Sequence, residues 1–162
     1  MDDLKLRQAV AGDSEFAYGL KKAAFREYVE KVWGWDEEEQ RRLHRERFAA
    51  HDFRIISASG TDVGIMVLAL QHDCLKLNQL FILPEYQNKG IGCKCMSLVI
   101  KEGNRLRLPV RLGVLKVNPR ALAFYERLGF VCAGETETHT LMRRDVPQGN
   151  PVGCETGQVD LK

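Results

Sequence analysis

The segment Leu80-Phe81-Ile82-Leu83-Pro84-Glu85-Tyr86-Gln87-Asn88-Lys89-Gly90-Ile91-Gly92 has the makings of an anion site. An apolar run suited to a strand feeds a loop with two glycines, and the loop opens a helical pattern. Glycines at 90 and 92 let backbone N–H groups turn inward, and a helix N-terminus adds partial positive charge. Together these suit a phosphate or pyrophosphate. The same two glycines would also serve a plain strand-to-helix turn. Two other phosphate motifs fail. A Walker loop closes on Gly-Lys-Ser/Thr, and Gly92-Cys93-Lys94-Cys95 brings no hydroxyl for magnesium. A dinucleotide fingerprint wants a small residue three after Gly92, where Cys95 stands, and a parallel unit around it.

The other chemistry-bearing residues converge less. The five cysteines (Cys74, Cys93, Cys95, Cys132, Cys154) are an odd number without staple-like spacing, and read as reduced thiols. On a helix, Cys93 and Cys95 point about 200° apart and do not share an ion. His44, His51, His72 and His139 show no ligand spacing, so no metal is expected. Lys and Arg total 24 against 22 Asp and Glu, which argues against a nucleic-acid binder. The longest aliphatic run, Val63 to Leu70, is far short of a membrane span, and the acidic start Met1-Asp2-Asp3 is no signal peptide. A cytoplasmic protein is expected.

These residues need elements to hold them. Leu4 to Val10 alternates as a strand. Asp13 or Ser14 is placed to cap a helix that runs to Trp33 and breaks at Gly34, and Asp36 is placed to cap a second through about Ala50. On that second helix Glu37/Arg41 and Glu38/Arg42 stand four apart as solvent-face pairs, and the cluster Arg41, Arg42, Arg45, Arg47 reads as a solvated face. Phe53–Ser59, Val63–Gln71 and Cys74–Leu83 then form an antiparallel meander, turning at Gly60-Thr61-Asp62 and His72-Asp73. A helix follows the glycine loop to about Asn104, and Val110, Leu112 and Val114 alternate as a strand. Asn118-Pro119 starts a helix that ends at Leu128-Gly129, and two short strands close the pattern. The fold class is α+β: a mixed, mostly antiparallel sheet of about seven strands with about four helices, in one domain over residues 1–145. Residues 146–162, rich in Pro and Gly, are expected to be a disordered tail.

Gln87-Asn88-Lys89-Gly90-Ile91-Gly92 resembles the Gln/Arg-x-x-Gly-x-Gly/Ala signature of the GNAT acetyltransferase superfamily. Val117-Asn118-Pro119-Arg120-Ala121-Leu122-Ala123-Phe124-Tyr125-Glu126-Arg127-Leu128-Gly129-Phe130 is similar to that family's Asn-x-x-Ala-x-x-x-Tyr-x-x-x-Gly-Phe stretch. The resemblance covers residues 4 to about 144 and the element order matches throughout. It implies acetyl-CoA as co-substrate and no metal. Ile82 and Leu83 would offer backbone groups to the pantetheine arm, and Gln87, Asn88, Lys89, Gly90, Ile91 and Gly92 would cradle the pyrophosphate. Asn118 would contact the coenzyme, although a plain N-cap role fits it equally. Tyr125 would protonate the departing thiolate; the alternative is an amphipathic core tyrosine.

The implied reaction sets its own demands. A primary amine with a pKa near ~10 is short of its nucleophilic form at neutral pH by roughly 4 kcal/mol. The site must take a proton, orient the amine and stabilise an oxyanion, for which a backbone N–H of the strand ending at Leu83 is the natural donor. Relatives often carry Glu or Asp just before the Leu80-Phe81 pair; Asn78 and Gln79 stand here, and they order water but do not accept a proton. Tyr28, Glu30, Trp33, Trp35 and Asp36 become candidate walls of an acceptor pocket, with core packing the competing role for both tryptophans. The expected acceptor is a small-molecule primary amine attacked directly. Transfer to a protein lysine or N-terminal amine, and a non-catalytic acetyl-CoA sensor, are the alternatives. Self-association as a homodimer stays open.

Overall fold

Apolar residues lie on both faces of the central strands, so the sheet is covered twice. Ile55, Ile65 and Val67 pack with Ala17, Leu20 and Phe53 on one face. Ile56, Val63, Met66 and Leu77 pack with Met96, Val99 and Phe130 on the other. The computed structural model describes residues 3–148. Its elements are β1 (Leu4–Gln8), α1 (Ser14–Trp33), α2 (Glu37–Ala50), β2 (Phe53–Ala58), β3 (Thr61–Leu70), β4 (Leu75–Ile82), α3 (Ile91–Leu106), β5 (Val110–Leu115), α4 (Pro119–Arg127), β6 (Val131–Glu135) and β7 (His139–Arg144). Short 3₁₀ turns at Ala11–Asp13 and Pro84–Tyr86 precede α1 and α3. The single sheet has the order β1-β2-β3-β4-β5-β7-β6. Only β4 and β5 are parallel, the crossover being α3.

The expected α+β class, seven strands and four helices are present. The expected tail at 146–162 lies outside the described residues, except 146–148, which form no regular element. Among the described residues no helix is long and apolar enough to cross a membrane.

Local chemistry explains most boundaries, with two corrections. Asp36 accepts the Glu39 N–H at 2.9 Å and caps α2 as expected. Asp13 does not cap α1: its carboxylate accepts the Val10 N–H at 2.8 Å and a paired guanidinium contact from Arg7. Ser14 turns its hydroxyl to His44 instead, at 3.1 Å. On α2, Arg41 pairs with Glu37 at 3.3 Å as expected, but Arg42 takes Glu39 and Glu46 rather than Glu38. An arginine reaches acids three before or four after it equally well, so spacing alone does not choose. Arg41 is also more than a solvated charge, for its guanidinium lies 4.3 Å over the Tyr18 ring.

α3 carries the strongest apolar stripe near the site. Ile91, Cys95, Met96 and Val99 are buried on one side. At roughly 1.5–3 kcal/mol for each large side chain removed from water, this face fixes the helix against the sheet. Ile91, its first residue, therefore anchors the helix start that the glycine loop feeds.

Candidate active site

The two strands that should bracket the coenzyme part company early. β4 and β5 pair only at Leu75↔Val110 and Lys76↔Arg111, although β4 runs on to Ile82. A cleft therefore opens beyond that point, with the α3 loop at its mouth. On its other side β4 stays bonded to β3: the Leu83 N–H donates to the Val63 carbonyl at 2.9 Å. Antiparallel pairing alternates, so Phe81 and Leu83 turn their main-chain groups toward β3, while Leu80 and Ile82 turn theirs toward the cleft. Register shifts between Val67 and Leu68, opposite Asn78, where β4 bulges.

The loop has the shape of an anion cradle. Asn88 and Gly90 both take left-handed backbone, at φ 60° and 82°. A Cβ on Gly90 would meet nothing within 4 Å, so that position faces open space. Gly92 is tighter, since a Cβ there would stand 3.4 Å from the Phe124 ring, and this close approach sets the first turn of α3 against the middle of α4. No side chain caps the start of α3.

Charge placement strengthens this picture. α1 and α2 begin with Glu15 and with Glu37, Glu38 and Glu39, as the helix dipole favours. The first turns of α3 and α4 hold no acid. Lys94 and Arg120 stand there instead, with Lys89 just ahead of α3, where a helix dipole disfavours cations. Two helix starts that face one cleft and both carry the unfavourable sign are suited to a bound polyanion. Arg120 donates to Asn88 Oδ1 at 2.6 Å and ties α4 to the loop.

The remaining expected residues fall as follows. Gln87 donates through Nε2 to the Ile82 carbonyl at 2.9 Å, pinning the strand end to the loop. Leu83 has both main-chain groups engaged, its carbonyl accepting the Tyr86 N–H at 2.8 Å, so an N–H for the oxyanion must come from Leu80 or Ile82. Lys89 lies 5.4 Å from the Tyr86 ring centroid. Asn118 accepts the Ala121 N–H at 3.1 Å, which is its N-cap role. Tyr125 packs edge-on to Phe124 and Phe130, at 5.0 and 5.6 Å between centroids. Burial pushes its hydroxyl above the ordinary 10, so the proton stays on Oη. Asn78 is exposed and Gln79 half-buried.

The candidate acceptor-wall residues have these partners. Trp35 donates to Glu37 at 2.8 Å and anchors the α1–α2 turn; Glu30 pairs with Arg26 at 2.6 Å, and Asp36 is the cap of α2. Tyr28 stacks near Phe25, which meets Phe81 of β4 at 4.8 Å, and burial raises its hydroxyl pKa, with Glu27 adding to the rise. Trp33 is 59% exposed and lies 6.3 Å from the His139 ring. Sequence reasoning passed over Arg120 and His139. A cation in the first turn of α4 was a legible signal for Arg120; none existed for His139.

Cys93 is exposed and Cys95 buried, on different sides of α3. Among the described residues no three His, Cys, Asp or Glu side chains converge as a metal site.

The model of the Acetyltransferase (GNAT) family matches residues 17–130, most of the chain and both halves of the cleft. The chain belongs to the GNAT acetyltransferase family. No curated protein sequence matches this GNAT chain. Solved structures do. The PaiA N-acetyltransferase of Thermoplasma acidophilum, in complex with coenzyme A, aligns with TM-score 0.73 at 19% identity, over 88% of this chain and 99% of that one. The ribosomal-protein-S18-alanine N-acetyltransferase of Escherichia coli aligns with TM-score 0.67 at 18% identity, over 94% and 100%. A GNAT family acetyltransferase of Elizabethkingia anophelis with acetyl-CoA bound gives 0.68 at 15%, over 90% and 100%. At these identities the likeness establishes the GNAT fold.

Proposed function

We propose that this GNAT chain transfers the acetyl group of acetyl-CoA to a primary amine of a small molecule by direct attack. The observation that carries the reading is the cleft where β4 leaves β5, headed by two helix starts that bear cations against their dipoles. Open space at Gly90 and left-handed backbone at Asn88 and Gly90 fit a pyrophosphate, and the coenzyme-bound structures of similar fold support the choice of ligand.

When bound, acetyl-CoA supplies a thioester whose acyl carbon accepts the amine. Lys89, Arg120 and the α3 amides hold the anionic end. Leu80 and Ile82 line the cleft with main-chain groups, and an N–H from this pair is the donor for the developing oxyanion. Tyr125 Oη holds a proton for the departing sulfur. Burial keeps that proton on Oη until sulfur departs.

One observation favours transfer to a protein amine. Gly113 and Trp33 are both exposed beside the cleft, so the acceptor side is open to a chain end. A panel separates the readings: diamines and amino sugars against peptides with a lysine or a free N-terminus, read by thiol release and product mass. Release with free amines supports the small-molecule reading; release with peptides alone moves the assignment to a protein modifier. Binding without release across the panel leaves a sensor domain.

A further inference from the structure

Three strands and α1 bring side chains to one face of the sheet beside the cleft. Leu77 and Leu80 both pack into the core under α3. The bulge opposite Val67/Leu68 lies between them, so Asn78 and Gln79 are both displaced from that core toward the α1 face. On β5, Leu112 and Val114 enter the same core, and Gly113 between them is exposed on the α1 face. His139 of β7 pairs with Leu115, and its Cδ2 would stand 3.5 Å from a Cβ on Gly113. Trp33 stands against its ring. The imidazole thus lies over β5, the strand that borders the cleft, and neighbouring strands are only about 4.8 Å apart.

The ring is set up asymmetrically. Nδ1 meets Thr138 Oγ1 at 2.8 Å, while Nε2 has no hydrogen-bond partner among the described residues. With the proton on Nδ1 donated to the threonine, Nε2 presents a lone pair from a ring of fixed orientation. The charged groups on the packed elements do not pair with it. Lys116, just after β5, meets Glu135 of β6 at 3.3 Å, and Arg111 of β5 approaches Asp73 at 4.0 Å. On α1, Glu30 meets Arg26 and Lys31 lies over Tyr28. On β7 itself Arg143 pairs with Asp145, and Arg144 donates to the Leu128 carbonyl.

We propose that His139 Nε2 is the proton acceptor for the incoming amine, the part that Asn78 and Gln79 do not play, with Thr138 as its positioning residue. The inference rests on the acetyl-transfer reading above. The ammonium gives one proton to Nε2, which passes it to water. The nitrogen lone pair then forms the C–N bond, and the second proton leaves by the same Nε2. The C–S bond breaks with its electron pair on sulfur, which takes the Tyr125 Oη proton; solvent restores the phenol.

The test compares wild type, His139→Gln and Thr138→Val on an amine that wild type accepts, from pH 6 to 10. In His139→Gln, turnover at pH 7 should fall about 100-fold or more. The stabilisation by acetyl-CoA, read from melting curves, should stay as in wild type. The deficit should shrink toward pH 10, where the amine is already neutral in solution. Thr138→Val should show a smaller loss that likewise shrinks toward pH 10, with the acetyl-CoA melting shift intact, and it decides the matter if His139→Gln fails to melt cooperatively. Turnover within about threefold of wild type in both variants, or a deficit equal at pH 7 and 10, overturns the role of His139 alone. A wild-type chain that binds acetyl-CoA but acetylates no amine overturns the acetyl-transfer reading and this inference with it.

Discussion

At the residue scale, two side chains carry sharp expectations. Tyr125→Phe keeps the ring against Phe124 and Phe130 and removes only the hydroxyl. Turnover should fall by roughly ten- to a thousandfold with coenzyme affinity little changed, measured as kcat against acetyl-CoA Kd. Near-normal turnover would make Tyr125 a packing residue. Lys21 is 4% exposed, and burial pulls its ammonium down from 10.5 to about 8, with Arg47 adding to the effect. Folding thus favours the neutral amine, and its penalty is fully present below pH 8 and fades as pH rises toward 10.5. At about 1.4 kcal/mol per pH unit the penalty is on the order of 3 kcal/mol. Lys21→Met should therefore raise stability at pH 7 by about 1–3 kcal/mol, less whatever the Gln40 contact contributes, and its advantage should shrink between pH 8 and 10 in denaturant melts. Some of these roles were legible in the sequence: Asn118 and Asp36 cap the helices that their spacing indicated. Others were not. Asp13 has the composition of a cap but answers to Arg7, six residues away, and a local pattern does not reveal a stronger charged partner.

At the element scale, alternation and capping signals placed the strands and helices because each has one strong apolar face or a clear breaker. They did not reveal which N–H groups point where. Leu83 looked equivalent to Ile82 until its N–H was found bonded to Val63, and the bulge that turns Asn78 and Gln79 together depends on a partner strand. The α3 start yields the third prediction. Gly90→Asp sets a carboxylate where anion-binding amides converge, at a φ of 82° that favours glycine. The free protein should lose about 1 kcal/mol from backbone strain. The melting shift given by acetyl-CoA should disappear. A variant that keeps the full shift would reduce the loop to a structural turn.

For the whole molecule, local signals placed every strand, but only in the meander did they also give the order of neighbours. Tight turns join β2, β3 and β4, whereas the placement of β7 between β5 and β6 depends on long-range packing that no local signal encodes. That placement matters, because it brings His139 beside the cleft. Binding should stabilise the entire domain by mass action: acetyl-CoA at ~100 times its Kd should add roughly 2.7 kcal/mol. Wild type melted with and without coenzyme checks this. The most direct test of the central claim is a stoichiometric count. The chain, acetyl-CoA and an accepted amine are mixed, then free thiol, acetylated amine and intact protein mass are followed together. Direct attack predicts one acetylated amine for each thiol released, no acetylated protein at any time, and only slow thiol release without amine. Thiol release that outruns amide formation, or acetyl found on the protein before it reaches the amine, would contradict it.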